Sequence, residues 1–234
     1  MIFNALFWSR YFQAEFVPQI KAIADALEKR VLPGFENIEE ESKRVSEDAW
    51  EAFMSMPGTG DEDPVDFAED AEQAGVSHYL LLDGIRQGML NLFAAALYHA
   101  FEQQIMLFHR REVLRPAEDN NYALLTLSEF QNRLADFGVD IKTFSSWAKI
   151  EELRLIANAV KHAEGSSAKR LKTLRPDMFQ SPHLDELGVP GARNPRIFQP
   201  LVGEDLYVSI TDVHDYCAAL VIFWQELSDA MQRA

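Results

Sequence analysis

The sequence contains a single cysteine, Cys217, among 234 residues, so one chain can form neither a disulfide framework nor a cysteine-rich zinc site. Cys217 lies in the apolar run Tyr216–Val221, where a thiol is typically a small buried hydrophobic group. No histidine has a glutamate three positions before it, and no two histidines are four positions apart. Because bundle metal sites use Glu-x-x-His or His-x-x-x-His spacing, we expect no metal ion and no cofactor.

Several other signals are missing. The sequence has no Gly-x-Ser-x-Gly elbow of a serine hydrolase. Gly58-Thr59-Gly60 is followed by acidic residues rather than by Lys-Ser or Lys-Thr, which predicts an ordinary turn in 57–64 and not a phosphate-binding loop. The longest uncharged run, Gln87–Phe101, has 15 residues, whereas a membrane helix needs about 20 apolar residues. Without a basic secretory leader at its start, we expect a soluble, cytoplasmic protein that does not bind membranes.

Positive charge is scarce, since the net charge is −15, and this argues against broad electrostatic capture of nucleic acid. One region differs: residues 140–176 contain eight basic and four acidic residues, a local balance of +4 that leaves −19 for the rest of the chain. This is either a binding region or a solvated, lysine-rich helix with its following turn. The basic residues are Lys142, Lys149, Arg154, Lys161, Lys169, Arg170, Lys172 and Arg175.

The hydrophobic periodicity predicts an all-α protein with one helical domain. Its parts are N-terminal helices in 1–56, a helical core in 76–170, a long Pro-rich connection in 171–210 and a C-terminal helix in 211–234. The alternation Leu206–Ile210 suggests a short strand within the connection. Helices are predicted over Arg10–Lys29, Phe35–Met54, Val76 or His78–Arg111, Thr126–Phe137, Ser145 or Ser146–Gly165, and from Thr211 onward. The predicted N-terminal caps are Thr126 or Ser128 for the fourth of these helices and Thr211 for the last.

The helix predicted to end at Gly165 separates its polar and apolar residues most clearly. At about 100° of rotation per residue, five polar residues fall within roughly 100° of one another, and apolar residues such as Leu155, Ile156 and Val160 occupy the remaining arc. A helix of this kind packs its apolar side against the protein core and exposes its polar side. The polar face is therefore the candidate site, and it consists of Glu151, Arg154, Asn158, Lys161 and His162.

Asn158, Lys161 and His162 resemble the end of the signature of the HEPN superfamily (higher eukaryotes and prokaryotes nucleotide-binding), which includes many helical ribonucleases of bacterial conflict systems. The resemblance implies a HEPN-like bundle, a homodimer, and metal-independent RNA cleavage in a defence or toxin-like setting. In that scheme His162 is the acid/base, Asn158 orients it or the phosphate, and Arg154 with Lys161 supplies positive charge. The sequence departs from the pattern at Ala157, where the family has an arginine.

Five further residues are candidate contacts to RNA or a nucleotide: Lys169, Arg170, Lys172, Arg86 and His99. The structural alternative is that His99 and Gln103 are hydrogen-bonded core groups, that Asn158 and His162 bond to neighbouring loops, and that Arg154 pairs with a carboxylate. The corresponding functional alternative is a non-catalytic, antitoxin-like interaction or regulatory module that binds a protein partner.

Overall fold

The computed structural model describes residues 3–56, 64–183 and 196–234. The turn predicted after Met56 and the middle of the predicted long connection lie outside these residues. The described residues form helices and turns with no strand, which confirms the all-α fold class. The bounded α-helices are α1 (Ala5–Tyr11), α2 (Val17–Ala26), α3 (Ile38–Met54), α4 (Pro64–Phe108), α5 (Leu127–Asp136), α6 (Trp147–His162), α7 (Ser166–Leu174) and α8 (Ile210–Arg233).

Short turns of other helix types extend these elements. Wide π-helical turns at Phe12–Phe16 and Leu27–Val31 join α1 to α2 and continue α2, and a third at His109–Val113 prolongs α4. Tighter 3₁₀ turns complete the connections, at Leu32–Phe35, Pro116–Glu118, Tyr122–Leu124, Ile141–Thr143 and Pro176–Phe179. The chain from Ala5 to Phe35 is therefore nearly continuous helix, which extends the predicted helix Arg10–Lys29 at both ends.

The centre of the bundle is α4. Its inward side chains, among them Leu97, Phe101 and Phe108, are at most 1% exposed. Aromatic residues from other helices pack around them, and the Phe12 and Trp224 rings lie 4.5 Å apart between centroids. By length and composition the helix from Pro64 to Val113 could cross a membrane, with a mean hydropathy of 1.2 in its most apolar window. Its inward face is covered by protein, however, and this packing is compatible with a soluble protein.

The first part of α4 is missing from the sequence-based prediction, because the helix begins at Pro64 and not at Val76 or His78. This part packs antiparallel against α3. A Cβ atom on Gly75 would lie 2.8 Å from the Ser42 carbonyl oxygen, and the rings of Phe53 and Phe67 stack at 5.7 Å. Small residues and one aromatic pair hold this hairpin together, so its sequence lacks the broad apolar stripe that identified the later part.

Helix caps decide two other boundaries. Thr126 caps α5 as predicted, because its Oγ1 accepts a hydrogen bond from the Glu129 amide at 3.1 Å. The prediction that Thr211 caps the last helix is wrong. Ser209 is the cap of α8, since its Oγ accepts from the Asp212 amide at 3.0 Å while the Asp212 carboxylate accepts from the Ser209 amide at 3.0 Å.

The predicted strand at Leu206–Ile210 is also wrong. Residues 196–209, called the strap below, lie against α4 without forming a strand. The Asn91 side chain donates to the carbonyl oxygens of Pro200 at 2.6 Å and of Leu206 at 2.8 Å. Leu206 and Val208 are buried. Two carbonyl oxygens of this segment are thus satisfied by a helix side chain, and the Tyr207 amide donates to the Met178 carbonyl oxygen at 2.9 Å.

Candidate functional site

A groove lies between α4, α5 and α6, with a volume of about 630 Å³. We call it the polar groove because charged, amide and hydroxyl side chains line most of it. Because α6 turns once in about 3.6 residues, residues three or four positions apart follow one another along the side of the helix that lines the groove next to α4. The lining residues are Tyr98, His99, Glu102, Leu127, Ser128, Gln131, Lys142, Trp147, Glu151, Arg154, Asn158 and Lys161.

Three of the four predicted catalytic residues meet in this groove, namely Arg154, Asn158 and Lys161. The fourth, His162, is exposed but does not line the groove. The reason is rotation about the helix axis, since His162 lies about 100° from Lys161 and about 80° from Arg154. The single polar face expected from the sequence is therefore divided, with the imidazole on its outer edge.

Arg154 is already engaged. Its Nε and Nη2 atoms lie 3.1 and 3.0 Å from the two carboxylate oxygens of Glu151, a bidentate pair. The hydrogen bonds to Glu151 raise the pKa of Arg154, although burial acts in the opposite direction. Pairing of Arg154 with a carboxylate is what the structural alternative expected. The guanidinium charge in the groove is therefore largely neutralised by its own helix.

Two other cations in the groove are not neutralised in this way. Within 3–56, 64–183 and 196–234, neither Lys142 nor Lys161 forms an ion pair. Lys161 is exposed at the last turn of α6. Lys142 lies in the 3₁₀ turn before α6, where Asp140 bonds only its backbone amide, at 3.0 Å. These two ammonium groups provide the positive charge that the groove offers to a ligand.

Aromatic rings form the walls of the groove. Tyr98 is 5% exposed and Trp147 is 8% exposed, so each presents an edge to the cavity. Burial raises the pKa of Tyr98, as does the nearby Glu102 charge. The Tyr98 side chain consequently stays a neutral phenol at any physiological pH and supplies a hydroxyl group to the groove.

The imidazole that does line the groove belongs to His99. Its Nδ1 atom lies 3.5 Å from Glu102 Oε2, and its side chain is 45% exposed. Gln103 is exposed as well. The interpretation of His99 and Gln103 as core polar groups is therefore wrong. The core amide is the next residue, Gln104, which donates to the Phe16 carbonyl oxygen at 3.1 Å and accepts from the Trp224 indole at 3.1 Å.

An apolar cavity of about 620 Å³ adjoins the polar groove and shares His99 and Lys161 with it. It opens between α4, the end of α6 and the strap. The shared residues mean that a ligand near Lys161 has a charged surface on one side and an apolar surface on the other. The remaining lining residues are Leu92, Ala95, Ala96, Ala100, Gln103, Val160 and Leu201.

The predicted binding residues beyond α6 lie elsewhere. Lys169 and Lys172 line a separate cavity of about 270 Å³ at α7, together with Arg196. Arg170 is exposed and lines neither cavity. The structure therefore does not bring these α7 cations to the polar groove.

Arg86 is also separate from the groove, because its Nη2 atom lies 2.6 Å from Asp83 Oδ1. His183 Nε2 lies 2.8 Å from the other oxygen of the same carboxylate. Burial alone would raise the pKa of Asp83, but the hydrogen bonds from His183 and Arg86 lower it overall. Asp83 is thus a paired group that connects the chain after α7 to α4.

Sequence reasoning missed the most extensive charge network. Arg175, after α7, donates to Glu152 of α6 at 2.6 Å and to Asp212 of α8 at 2.8 Å. It also pairs with Asp177, and these bonds raise its pKa. Tyr216 donates its hydroxyl to Glu152. The detectable signal was Glu152, an acid on the packed side of α6, which implies a buried cationic partner.

Ala157 is 1% exposed, so it faces the core and not the groove. Among the described residues, no group of three or more His, Cys, Asp or Glu side chains could hold a metal ion. Comparisons with protein-family models, with characterised proteins and with solved structures found no match.

Proposed function

We propose that the polar groove binds a nucleoside phosphate, the chemistry that RNA and free nucleotides share. The observation that carries this proposal is the convergence of two unneutralised ammonium groups, Lys142 and Lys161, with aromatic edges and amides in one cavity. Lysines contribute to phosphate binding, and aromatic and amide groups contact bases. The volume of about 630 Å³ also lies within the usual range for small-molecule sites.

Each groove residue has a role in this proposal. Lys142 and Lys161 neutralise phosphate charge, and Asn158 offers an amide that donates and accepts to a base or sugar edge. The Glu151 carboxylate fixes the Arg154 guanidinium and leaves its unused N–H groups available as directional donors. Tyr98 and Trp147 contact an aromatic base through their exposed edges.

RNA cleavage is the narrower form of the proposal, and the HEPN resemblance supports it. His162 directly follows Lys161, so a strand that leaves the groove past Lys161 meets this imidazole next. An imidazole can donate or accept a proton in a metal-independent reaction. The HEPN-like architecture, the defence or toxin-like setting and the cytoplasmic location remain predictions.

A binding assay on the full chain tests the broader proposal. Fluorescence anisotropy with a labelled single-stranded RNA at low salt, and competition by unlabelled nucleoside monophosphates, separates the two ligand sources. We expect Lys161→Ala to weaken binding by roughly 5-fold to 10-fold, because one phosphate contact is lost. Lys43→Ala on exposed α3 is the matched control and leaves affinity unchanged. Absence of binding at low salt, or equal weakening by both variants, contradicts the proposal.

The second candidate function is a non-catalytic interaction module with a protein partner. Two observations favour it: the net charge of −15 and the burial of Ala157 where the family has a catalytic arginine. In this alternative the polar face of α6 contacts a protein surface. Anisotropy with labelled RNA at low salt discriminates the two candidate functions. Electrostatic RNA binding is strongest at low salt, whereas a module that binds only a protein partner gives no anisotropy change with RNA.

A further inference from the structure

The end of α4 carries a buried imidazole that has no part in the polar groove. His109 begins the π-helical turn His109–Val113 and is 0% exposed. Its Nε2 atom lies 2.9 Å from the Leu124 carbonyl oxygen, and its ring packs edge-to-face on Phe130, with 5.5 Å between the ring centroids. His109 therefore joins three elements, namely the end of α4, residues 114–126, called the α4–α5 loop below, and α5.

The hydrogen bond to Leu124 fixes the protonation state of His109. A carbonyl oxygen can only accept, so Nε2 carries the proton and Nδ1 carries a lone pair. Among the residues that the structure describes, nothing forms a hydrogen bond to this Nδ1 atom, although it is buried. The folded protein therefore holds His109 as the neutral Nε2–H tautomer.

Protonation of His109 is unfavourable in the folded state, because it places a charge and a second N–H group where neither has a partner. Burial lowers the pKa of His109, and the Arg133 charge acts in the same direction. The Leu124 carbonyl bond and the Glu129 and Glu118 charges oppose this shift without reversing it. Both acids are bonded to Arg133, at 2.7 and 3.0 Å, so they are not free to pair with an imidazolium.

The charged side chains on the same π-helical turn are also engaged elsewhere or exposed. Arg110 Nε lies 3.5 Å from Asp119 Oδ1. Glu112 accepts a hydrogen bond from the Trp8 indole at 2.7 Å. Arg111 is exposed. The buried imidazole thus has no carboxylate of its own among the described residues.

The α4–α5 loop is the element that gives way when His109 is protonated. The π-helical turn is held in the core, since Phe108 and Val113 are at most 1% exposed. Residues 115–123 of the loop are mostly exposed, and exposed segments with few buried contacts open at the lowest free energy. Movement of Leu124 away from the imidazole then lets the charged ring reach water.

We propose that His109 is an acid-sensitive switch, which holds the α4–α5 loop in place while the imidazole is neutral and releases the loop when the imidazole is protonated. This inference does not depend on the proposed function. Release still reaches the polar groove, because the loop ends at Thr126, which caps α5, and because Leu127 and Ser128 line the groove. Acid therefore loosens one wall of the groove.

The direction of the pKa shift sets the pH range of the switch. A histidine whose folded-state pKa is lowered contributes stability that is fully present above its unfolded-state pKa, 6.5 for His109. That stability is lost as the pH falls from this value toward the folded-state pKa. At pH 5.5, one unit below the unfolded-state pKa, we expect local opening of the loop to increase by roughly 10-fold.

Hydrogen exchange of the full chain at pH 7.5 and pH 5.5, corrected for intrinsic exchange rates, tests the proposal. The readout is the ratio of protection factors at the two pH values for the Leu124 and Leu125 amides, which donate within the loop. We expect a ratio of roughly 10 in the wild type. His109→Gln keeps an amide donor for the Leu124 carbonyl but cannot titrate, so its ratio is about 1. The matched control His214→Gln, at an exposed position of α8, keeps the wild-type ratio.

Imidazole ¹⁵N spectra of the wild-type chain give a second measurement that needs no substitution. We expect the Nε2–H tautomer of His109 at pH 7.5 and a protonation midpoint below that of the exposed His214. Because the exchange readout is a ratio, a variant that is less stable at both pH values still tests the switch. A wild-type ratio near 1, a wild-type ratio retained in His109→Gln, or an Nδ1–H tautomer overturns the proposal.

Discussion

Arg175 Nη1 lies 2.6 Å from Glu152 Oε1, and Glu152 is only 8% exposed. This contact joins the end of α7 to the packed side of α6, and Asp212 adds α8 to the same guanidinium. The polar groove residues Arg154, Asn158 and Lys161 lie on the opposite side of α6. The charge network therefore fixes the packed side of α6, while the groove on the opposite side of the helix remains open.

Replacing Arg175 by methionine leaves Asp212 without its cation and leaves Glu152 with Lys149 alone, at 3.2 Å. Removal of one partner from a buried ion pair usually costs more than the pair contributes, so we expect a loss of about 3 kcal/mol in the free energy of unfolding. Urea denaturation measures it. Arg170→Met, at an exposed neighbour on α7, is the control and stays within about 0.5 kcal/mol of the wild type. Equal losses in the free energy of unfolding for the two variants would show that the charge network contributes no more to stability than an exposed arginine does.

The same network predicts an acid-dependent loss of stability through Asp212. Burial alone would raise the pKa of Asp212, but bonds from Ser209 and Arg175 lower it below its ordinary 3.8. A lowered folded-state pKa gives stability that is fully present above the unfolded-state pKa and is lost as the pH falls through the folded value. We therefore expect Asp212→Asn to be less stable than the wild type at pH 7.

Unfolding curves from pH 7 down to pH 2 check this expectation. The difference in the free energy of unfolding between wild type and Asp212→Asn should narrow below pH 4 and nearly vanish at pH 2. A difference that stays constant over the whole range would mean that the Asp212 charge contributes nothing, and that the asparagine acts only through packing.

Gly88 permits the contact between α4 and the strap. Because a Cβ atom there would meet the Leu201 carbonyl oxygen, Gly88→Ala must push the strap away, at a cost of about 1–3 kcal/mol. Gly34→Ala is the control, since no atom lies within 4 Å of a Cβ at Gly34, and loss of chain entropy in the unfolded state makes it neutral or slightly stabilising. Hydrogen exchange of the strap amides locates the effect. Unchanged exchange protection of the Val208 amide, which donates to Asn91, would contradict the expected displacement of the strap.

An RNA cleavage assay distinguishes the role of the His162 imidazole from that of His99. The purified chain is incubated with single-stranded RNA and a metal chelator, and His162→Ala is compared with His99→Ala. If His162 is the acid/base, its loss lowers the cleavage rate by roughly 100-fold or more, whereas His99→Ala mainly weakens binding. Equal activity in wild type and His162→Ala, or none in either, removes the enzymatic claim and leaves the binding proposal standing.

Local patterns were sufficient for most of the fold. Helical periodicity placed α5 and α6 within a few residues, and the cap of α5 was narrowed to Thr126 or Ser128, of which Thr126 is the cap because its side chain bonds the Glu129 amide three positions on. The groove was predicted in part: Arg154, Asn158, Lys161 and His99 do meet, since α6 and α4 pack side by side.

Long-range contacts account for the failures. The strap follows a strand-like alternation, but Asn91, more than a hundred positions earlier, bonds the carbonyl oxygens of Pro200 and Leu206. Arg175 was counted as part of a basic patch, yet partners on two other helices neutralise it. The position of His162 outside the groove depends on a rotation of less than a third of a turn between neighbouring residues. Patterns in sequence do not specify such pairings.

The salt dependence of RNA binding tests the central claim, that Lys142 and Lys161 hold phosphate in the polar groove. The logarithm of the association constant is measured against the logarithm of salt concentration for the wild type, Lys142→Ala, Lys161→Ala and the control Lys43→Ala. Each groove variant is predicted to make the slope less negative by about 0.7, the value for one phosphate contact on a single strand, and the control to keep the wild-type slope. Slopes that coincide in all four proteins, or no measurable binding at low salt, would contradict the account.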